Sequence, residues 1–361
     1  MSTVQPFQVS VPQADLDDLA ARLARTRWPD ELPGAGWDDG VAMDRVREVA
    51  AYWGHGYDWR AWETRLNAVP QFTTVIDGQQ VHFLHVRGGG GLPLLLCHGW
   101  PSTPADFLEL LGPLASAGFD LVVPSMPGYG FSGPTASRGW NMTRIARAYA
   151  VLMARLGYPR YGAHGGDWGA RLVPELARLD SEHVAAIHMN GFVAFPAADP
   201  GELTGPEQQR LARLGRWQAE RGGYAAIQAS RPQTLAYAMA DSPAGLLAWY
   251  LEWYDDYGEH PGAISNDQIL TNAATYWLTG TAGSAALLYK EAAAQWGAQP
   301  PYCQVPTALA VFPGDSTIRK YAETQHNVVH WTEFHRGGHF AALLAPDLLA
   351  GDLRDFFTDM R

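Results

Sequence analysis

From residue 81 onward the chain alternates short apolar runs with helical stretches, and this alternation restricts the fold more than any other feature of the sequence. Strand-like runs at 81–86, 92–97, 120–124, 161–164 and 184–189 are bounded by Gly, Pro and Asp, with helical periodicity between them. Strands separated by helices predict an α/β fold around a parallel sheet, because each helical crossover brings the chain back to the same end of the sheet. From 195 to 289 the alternation gives way to helix formers and aromatics, and strand character resumes at 307–312 and 328–334. That interruption predicts a helical cap inserted into the sheet domain. Ahead of the first strand-like run, 72–76, residues 12–25 form an amphipathic pattern with Leu16, Leu19 and Leu23 on one face, and 43–53 read as a second helix. The expected division is an N-terminal segment over 1–70, core over 71–194, cap over 195–292 and core again over 293–361.

Charge and composition narrow the function. A net charge of −11 repels phosphate backbones and anionic membrane surfaces, so neither nucleic acid nor a membrane is an expected partner. The sequence has no apolar run of about 20 residues. Residues 1–11 lack a basic and apolar leader pattern, so the expectation is a cytosolic protein without a membrane anchor. Two cysteines, Cys97 and Cys303, offer neither a zinc knuckle nor a disulfide framework, and Cys97 ends an apolar run as a buried strand residue would. The 14 Trp, 15 Tyr and 13 Phe are enough to line an apolar pocket.

The segment Gly165-Gly166-Asp167-Trp168-Gly169 falls between a strand-like run and a helical stretch. It has the form of a nucleophile elbow, in which glycines two before and two after the nucleophile let the chain turn sharply enough to expose it. An Asp among glycines also serves as an ordinary helix N-cap. As a nucleophile, a carboxylate is ionised without help from a base, displaces at sp³ carbon and leaves an ester on the enzyme, which suits epoxides and alkyl halides. Downstream, Asp315 ends the run 307–312 in Pro-Gly-Asp-Ser, and His339 follows the run 328–334 in Gly-Gly-His-Phe. The order nucleophile, acid, base is that of α/β-hydrolase triads. His339 is then the general base for water and Asp315 the acid that stabilises its imidazolium, with Glu323 and Glu333 as competing carboxylates. His98-Gly99-Trp100-Pro101 ends the run 92–97, where the backbone N–H of Trp100 complements that of Trp168 as an oxyanion hole; otherwise the pair His-Gly is only a turn.

With these residues in place, the chain resembles the microsomal-type epoxide hydrolases that carry an N-terminal meander domain. The likeness spans nearly the whole length, through 6–31, 57–86, the His98–Pro101 loop, Gly165–Gly169, Asp241-Ser242-Pro243 and 337–342. It implies an α/β-hydrolase fold with an inserted helical cap and an N-terminal meander segment. The implied activity is opening of an epoxide to a diol without cofactor or metal, in a detoxifying or biosynthetic role. It further implies that Tyr224 and Tyr289 bind and protonate the epoxide oxygen, which spacing alone does not reveal. The expected partners are a small apolar epoxide and water, and the chain is as compatible with a homodimer as with a monomer.

Three other readings compete. A haloalkane dehalogenase shares Asp167 and His339 but holds its halide with Trp or Asn N–H donors, and the two tyrosines favour the epoxide. A ligand-binding module on a retired scaffold is disfavoured because every catalytic position is filled. Gly128–Gly133 matches a dinucleotide fingerprint, yet Pro134 closes it where a helix should begin. Trp249, Trp253 and Trp277 are candidate pocket walls, and Pro174 is expected to bend the helix after Asp167.

Overall fold

The computed structural model describes residues 3–191, 201–295 and 298–360. Nine strands form one mixed sheet in the order β1-β2-β3-β5-β4-β6-β7-β8-β9. The antiparallel edge is built from β1 (Gln5–Phe7), β2 (Gln71–Ile76) and β3 (Gln79–Val86). Asp77 and Gly78, both at positive φ, make the two-residue turn that pairs Ile76 with Gln79. The expected parallel sheet is confined to β4 (Leu94–Cys97), β5 (Leu121–Pro124), β6 (Tyr161–Gly166), β7 (Val184–Asn190), β8 (Cys303–Val311) and β9 (His326–Glu333). Buried on both faces, β4 reads as an unbroken apolar run: Leu94 to Cys97 have no exposed surface.

Three helices precede the sheet proper: α1 (Gln13–Ala24), α2 (Met43–His55) and α3 (Trp59–Asn67). The first two fall where periodicity places them. The third was not expected; Asp58 starts it by accepting from the Ala61 N–H at 3.1 Å. Between the strands run α4 (Leu108–Ser116), α5 (Met142–Arg155), capped by Asn141, and α6 (Trp168–Leu179). Helix α6 continues through Pro174, which is buried within it. Gly128–Gly133 contains only a 3-10 turn, so no helix N-terminus is offered to a dinucleotide phosphate there.

The insertion between β7 and β8 is helical as expected. Its described part holds α7 (Gly205–Arg221), α8 (Gly223–Ser230), α9 (Pro232–Asp241), α10 (Pro243–Tyr254), α11 (Asn266–Thr279) and α12 (Ala282–Glu291). Its expected start at residue 195 lies outside the described residues. Three short or terminal helices complete the chain: α13 (Arg319–Glu323), α14 (Ala341–Leu344) and α15 (Pro346–Thr358).

The N-terminal helices brace this insertion. Arg45 of α2 makes a two-point ion pair, at 2.7 and 3.2 Å, with the fully buried Asp255 at the end of α10. Tyr57 meets Thr271 of α11 at 3.0 Å. A buried pair of this kind is held by geometry more than by net energy, and it fixes the register between the two segments. No described helix is long and apolar enough to cross a membrane.

Candidate active site

Asp167 sits on the turn between β6 and α6 with φ 54° and ψ −120°, a conformation rare outside glycine and costing about 1–3 kcal/mol. The flanking glycines are required by space. A Cβ on Gly165 would lie 2.2 Å from the Gly169 backbone, and one on Gly169 would lie 2.2 Å from the carbonyl oxygen of Cys97 on β4. The elbow is therefore locked between two strands and the first turn of its own helix. At the N-terminus of α6 the Asp167 carboxylate also meets the positive end of the helix dipole.

The loop after β4 supplies the expected backbone donor: the Trp100 N–H donates to Asp167 Oδ1 at 2.8 Å. Trp168 opens α6, where the amides of a first turn point out along the helix axis. His98, on the loop read from sequence as supplying an oxyanion-hole amide, holds that loop to its neighbours. The Met126 N–H donates to His98 Nε2 at 3.1 Å, so Nδ1 carries the proton and donates to the Gly99 carbonyl at 2.8 Å. Burial, partly offset by that backbone bond, lowers its pKa to about 4 and keeps it neutral. Tyr254 and Tyr276 tie down the same loop through the carbonyls of Pro101 and Ser102, at 3.1 and 2.7 Å.

His339 lies between β9 and α14 with Nε2 3.4 Å from Asp167 Oδ2. The two Asp167 carboxylate oxygens are thus divided, one facing the Trp100 amide and the other the histidine. Asp315, in the turn after β8, accepts from the N–H of Gly191 at 3.1 Å and from the N–H and hydroxyl of Thr317 at 2.8 and 2.6 Å. Burial raises its pKa, opposed by the Thr317 and Gly191 bonds and by attraction to His339. No ion pair or hydrogen bond closes between Asp315 and His339 among the described residues; the three donors to the carboxylate come from Gly191 and Thr317. The competing carboxylates are engaged elsewhere, Glu323 with Arg319 and Glu333 with Arg210.

Tyr224, second residue of α8, and Tyr289, late in α12, are 65 positions apart in sequence, yet their ring centroids are 5.8 Å apart. The Tyr224 ring stacks on Trp100 at 5.4 Å, and Tyr289 stands edge-on to Trp168 at 4.8 Å. Desolvation first, and then the Asp167 charge and nearby phenols, hold both well above the ordinary tyrosine pKa, so both remain protonated donors. All seven sequence-derived residues except Trp100 line one cavity of about 640 Å³, and Trp100 reaches it through its bond to Asp167. Of the three candidate wall tryptophans, Trp253 lines this cavity. Trp249 instead donates to Gln228, and Trp277 lies under Arg22. Trp217 and Tyr257 also line it, with no local pattern in the sequence to mark them.

Known proteins resemble the chain across the same regions. Residues 4–107 match the family model described as epoxide hydrolase N terminus, and 93–238 match that of the alpha/beta hydrolase fold. A putative epoxide hydrolase of Stigmatella aurantiaca is 41% identical over 377 residues, covering 99% of this chain and 86% of that protein. Epoxide hydrolase 1 of Sus scrofa is 31% identical over 404 residues, covering 98% and 88%. The structure of Aspergillus niger epoxide hydrolase aligns with a TM-score of 0.90 at 30% identity, over 99% of this chain and 97% of that one. Juvenile hormone epoxide hydrolase from the silkworm Bombyx mori aligns at 0.92 and 26% identity, over 100% and 95%.

Proposed function

The chain belongs to the epoxide hydrolase family and is an epoxide hydrolase, and we propose that it turns an epoxide into a vicinal diol through a covalent ester on Asp167. The observation that carries this route is the division of labour at Asp167: Oδ1 is held by the Trp100 amide while Oδ2 faces the cavity and His339.

Asp167 Oδ2 attacks an epoxide carbon from the side opposite the C–O bond, which breaks as the new ester bond forms. Tyr224 and Tyr289 bind the departing oxygen, and one of them gives it a proton. A neutral phenol is required for that step; tyrosine is one at neutral pH, and burial preserves it. Water then gives a proton to His339 Nε2 while its oxygen adds to Asp167 Cγ. The negative charge gathers on Oδ1, where the Trp100 N–H already points, joined by that of Trp168. Collapse breaks the Cγ–Oδ2 bond, the imidazolium protonates the diol oxygen, and Asp167 is left as the acid. Its proton returns to the phenolate through water. Asp315 stabilises the imidazolium through space.

An aromatic cavity suits a small apolar epoxide, with water as the second substrate. The two phenols favour this over halide displacement, which needs no proton donor to the leaving group. A cytosolic location is part of this reading, and the free, buried thiols Cys97 and Cys303 are compatible with it. A single turnover in heavy-oxygen water tests the route. The diol should emerge unlabelled, carrying an Asp167 oxygen, and the label should appear in the peptide containing Asp167. Label in the diol with none in that peptide would mean direct attack by water.

A further inference from the structure

We propose that Trp253 is a positioning residue for the hydrolytic half of the reaction, its indole face holding the His339 imidazole against Asp167 and stabilising the imidazolium formed there. This rests on the covalent route proposed above.

His339 is carried on a loop and its ring donates no hydrogen bond to Asp315 among the described residues. Beside the Asp167 carboxylate, two aromatic rings pack against the imidazole. Phe340, its chain neighbour, stands edge-on at 5.0 Å and 87°, whereas Trp253, from the distant helix α10, lies at 4.9 Å and 44°. The charged groups set against this histidine are the carboxylates of Asp167 and Asp315, which attract the imidazolium. An indole face adds to that attraction because its quadrupole presents negative charge to a cation, more strongly than a phenyl or phenol ring.

Trp253 is itself held in place. Its ring packs edge-on to Tyr224 at 5.1 Å, near Tyr257 at 5.9 Å and Trp217 at 6.0 Å, and perpendicular to Trp100 at 6.4 Å. A ring fixed by so many neighbours restricts His339 to the orientation that points Nε2 at the nucleophile. The indole Nε1–H is buried and has no hydrogen-bond partner among the described residues. An orphaned donor is a penalty that an apolar side chain would avoid. Hydrogen bonding therefore does not explain an indole at this position, and its broad π face does. The same ring touches a phenol of the opening step and the base of the hydrolytic step, linking the two halves of the cycle.

The test is rapid quenching of the full chain with a small aryl epoxide, following the esterified fraction by intact mass, for wild type, Trp253→Leu and Trp253→Phe. For Trp253→Leu we expect ester hydrolysis to slow about tenfold and ester formation by no more than about threefold, so that the ratio of ester to free enzyme at steady state rises by about threefold or more over wild type. Trp253→Phe, which keeps a π face, should recover most of the hydrolysis rate. Equal slowing of both halves, or a Phe variant no better than Leu, would overturn the proposal. Should the Leu variant fail to fold, Trp253→Met fills the space without a π face and is read the same way. His339→Gln separates the two ideas. If it forms no adduct the covalent route itself fails, whereas an adduct there with normal hydrolysis in Trp253→Leu overturns only the role of Trp253.

Discussion

Replacing Gly99 by Ala puts a single methyl group against Asp167, the proposed nucleophile. An ideal Cβ at Gly99 would lie 2.1 Å from Asp167 Oδ1, 2.5 Å from its Cβ and 2.6 Å from its Cγ. Ordinary contacts between such atoms are about 3.5 Å, so the carboxylate or the whole elbow must shift by about 1 Å. The 2.8 Å bond from the Trp100 N–H to Oδ1 does not survive that movement. Losing one oxyanion donor costs about 10²–10³ in rate, and a 1 Å misplacement of the attacking atom costs about 10². The effects overlap, and a fall of about 10³ in kcat/KM, near 4 kcal/mol, is expected. Overpacking a single methyl costs about 1–3 kcal/mol of stability, so the variant folds with a lowered melting temperature. The assay is kcat/KM on a small aryl epoxide beside a thermal melt. Activity within about threefold of wild type, with an unchanged melt, would refute the geometry given for the nucleophile.

The remaining predictions concern the two proposed proton donors and a buried acid. Tyr224→Phe and Tyr289→Phe should each slow ester formation by about 10- to 100-fold, and together by more, while leaving ester hydrolysis nearly unchanged. Rapid-quench kinetics reads the two rates separately, and full-rate opening by either variant would remove that phenol from the mechanism. Asp106 is buried and accepts from Asn272 at 2.7 Å, and burial raises its carboxyl to about 6. A raised carboxyl supports the fold at pH below its ordinary value, and that support is withdrawn as pH rises through about 6. Asp106→Asn keeps the acceptor and removes the charge. The stabilisation it confers should grow from near zero at about pH 4 to about 3 kcal/mol at about pH 8. Melting curves at the two pH values check this, and a gap that does not change with pH contradicts it.

Much of the site was legible because its parts are local motifs. The elbow glycines are forced by backbone approach, so Gly165–Gly169 announces its own geometry. Asp315 and His339 follow from the order of late strands. Tyr224 and Tyr289 have no such signature: one opens a helix and the other nearly ends one, and only the folding of α8 against α12 brings them together. The resemblance named them where periodicity did not. Trp253 could not be told from core in sequence because an aromatic on a helix buried all round looks the same whether it faces a cavity or a neighbour.

Among the elements, β1 was missed because three residues carry no period, and it exists by pairing with β2. The antiparallel edge was missed although Asp77-Gly78 is a hairpin turn signal, since the helix-strand alternation that follows dominates the reading. The short polar turn Asp315-Ser316-Thr317 gave no sign that the N–H and hydroxyl of Thr317 both donate to Asp315.

The covalent intermediate on Asp167 is tested most directly by the intact mass of His339→Gln after mixing with a small aryl epoxide, with Asp167→Asn/His339→Gln as control. Without the base the ester should persist. The covalent route predicts a gain equal to the whole epoxide in the single variant and none in the double. No adduct across a broad epoxide panel, or an adduct that survives loss of Asp167, would contradict it.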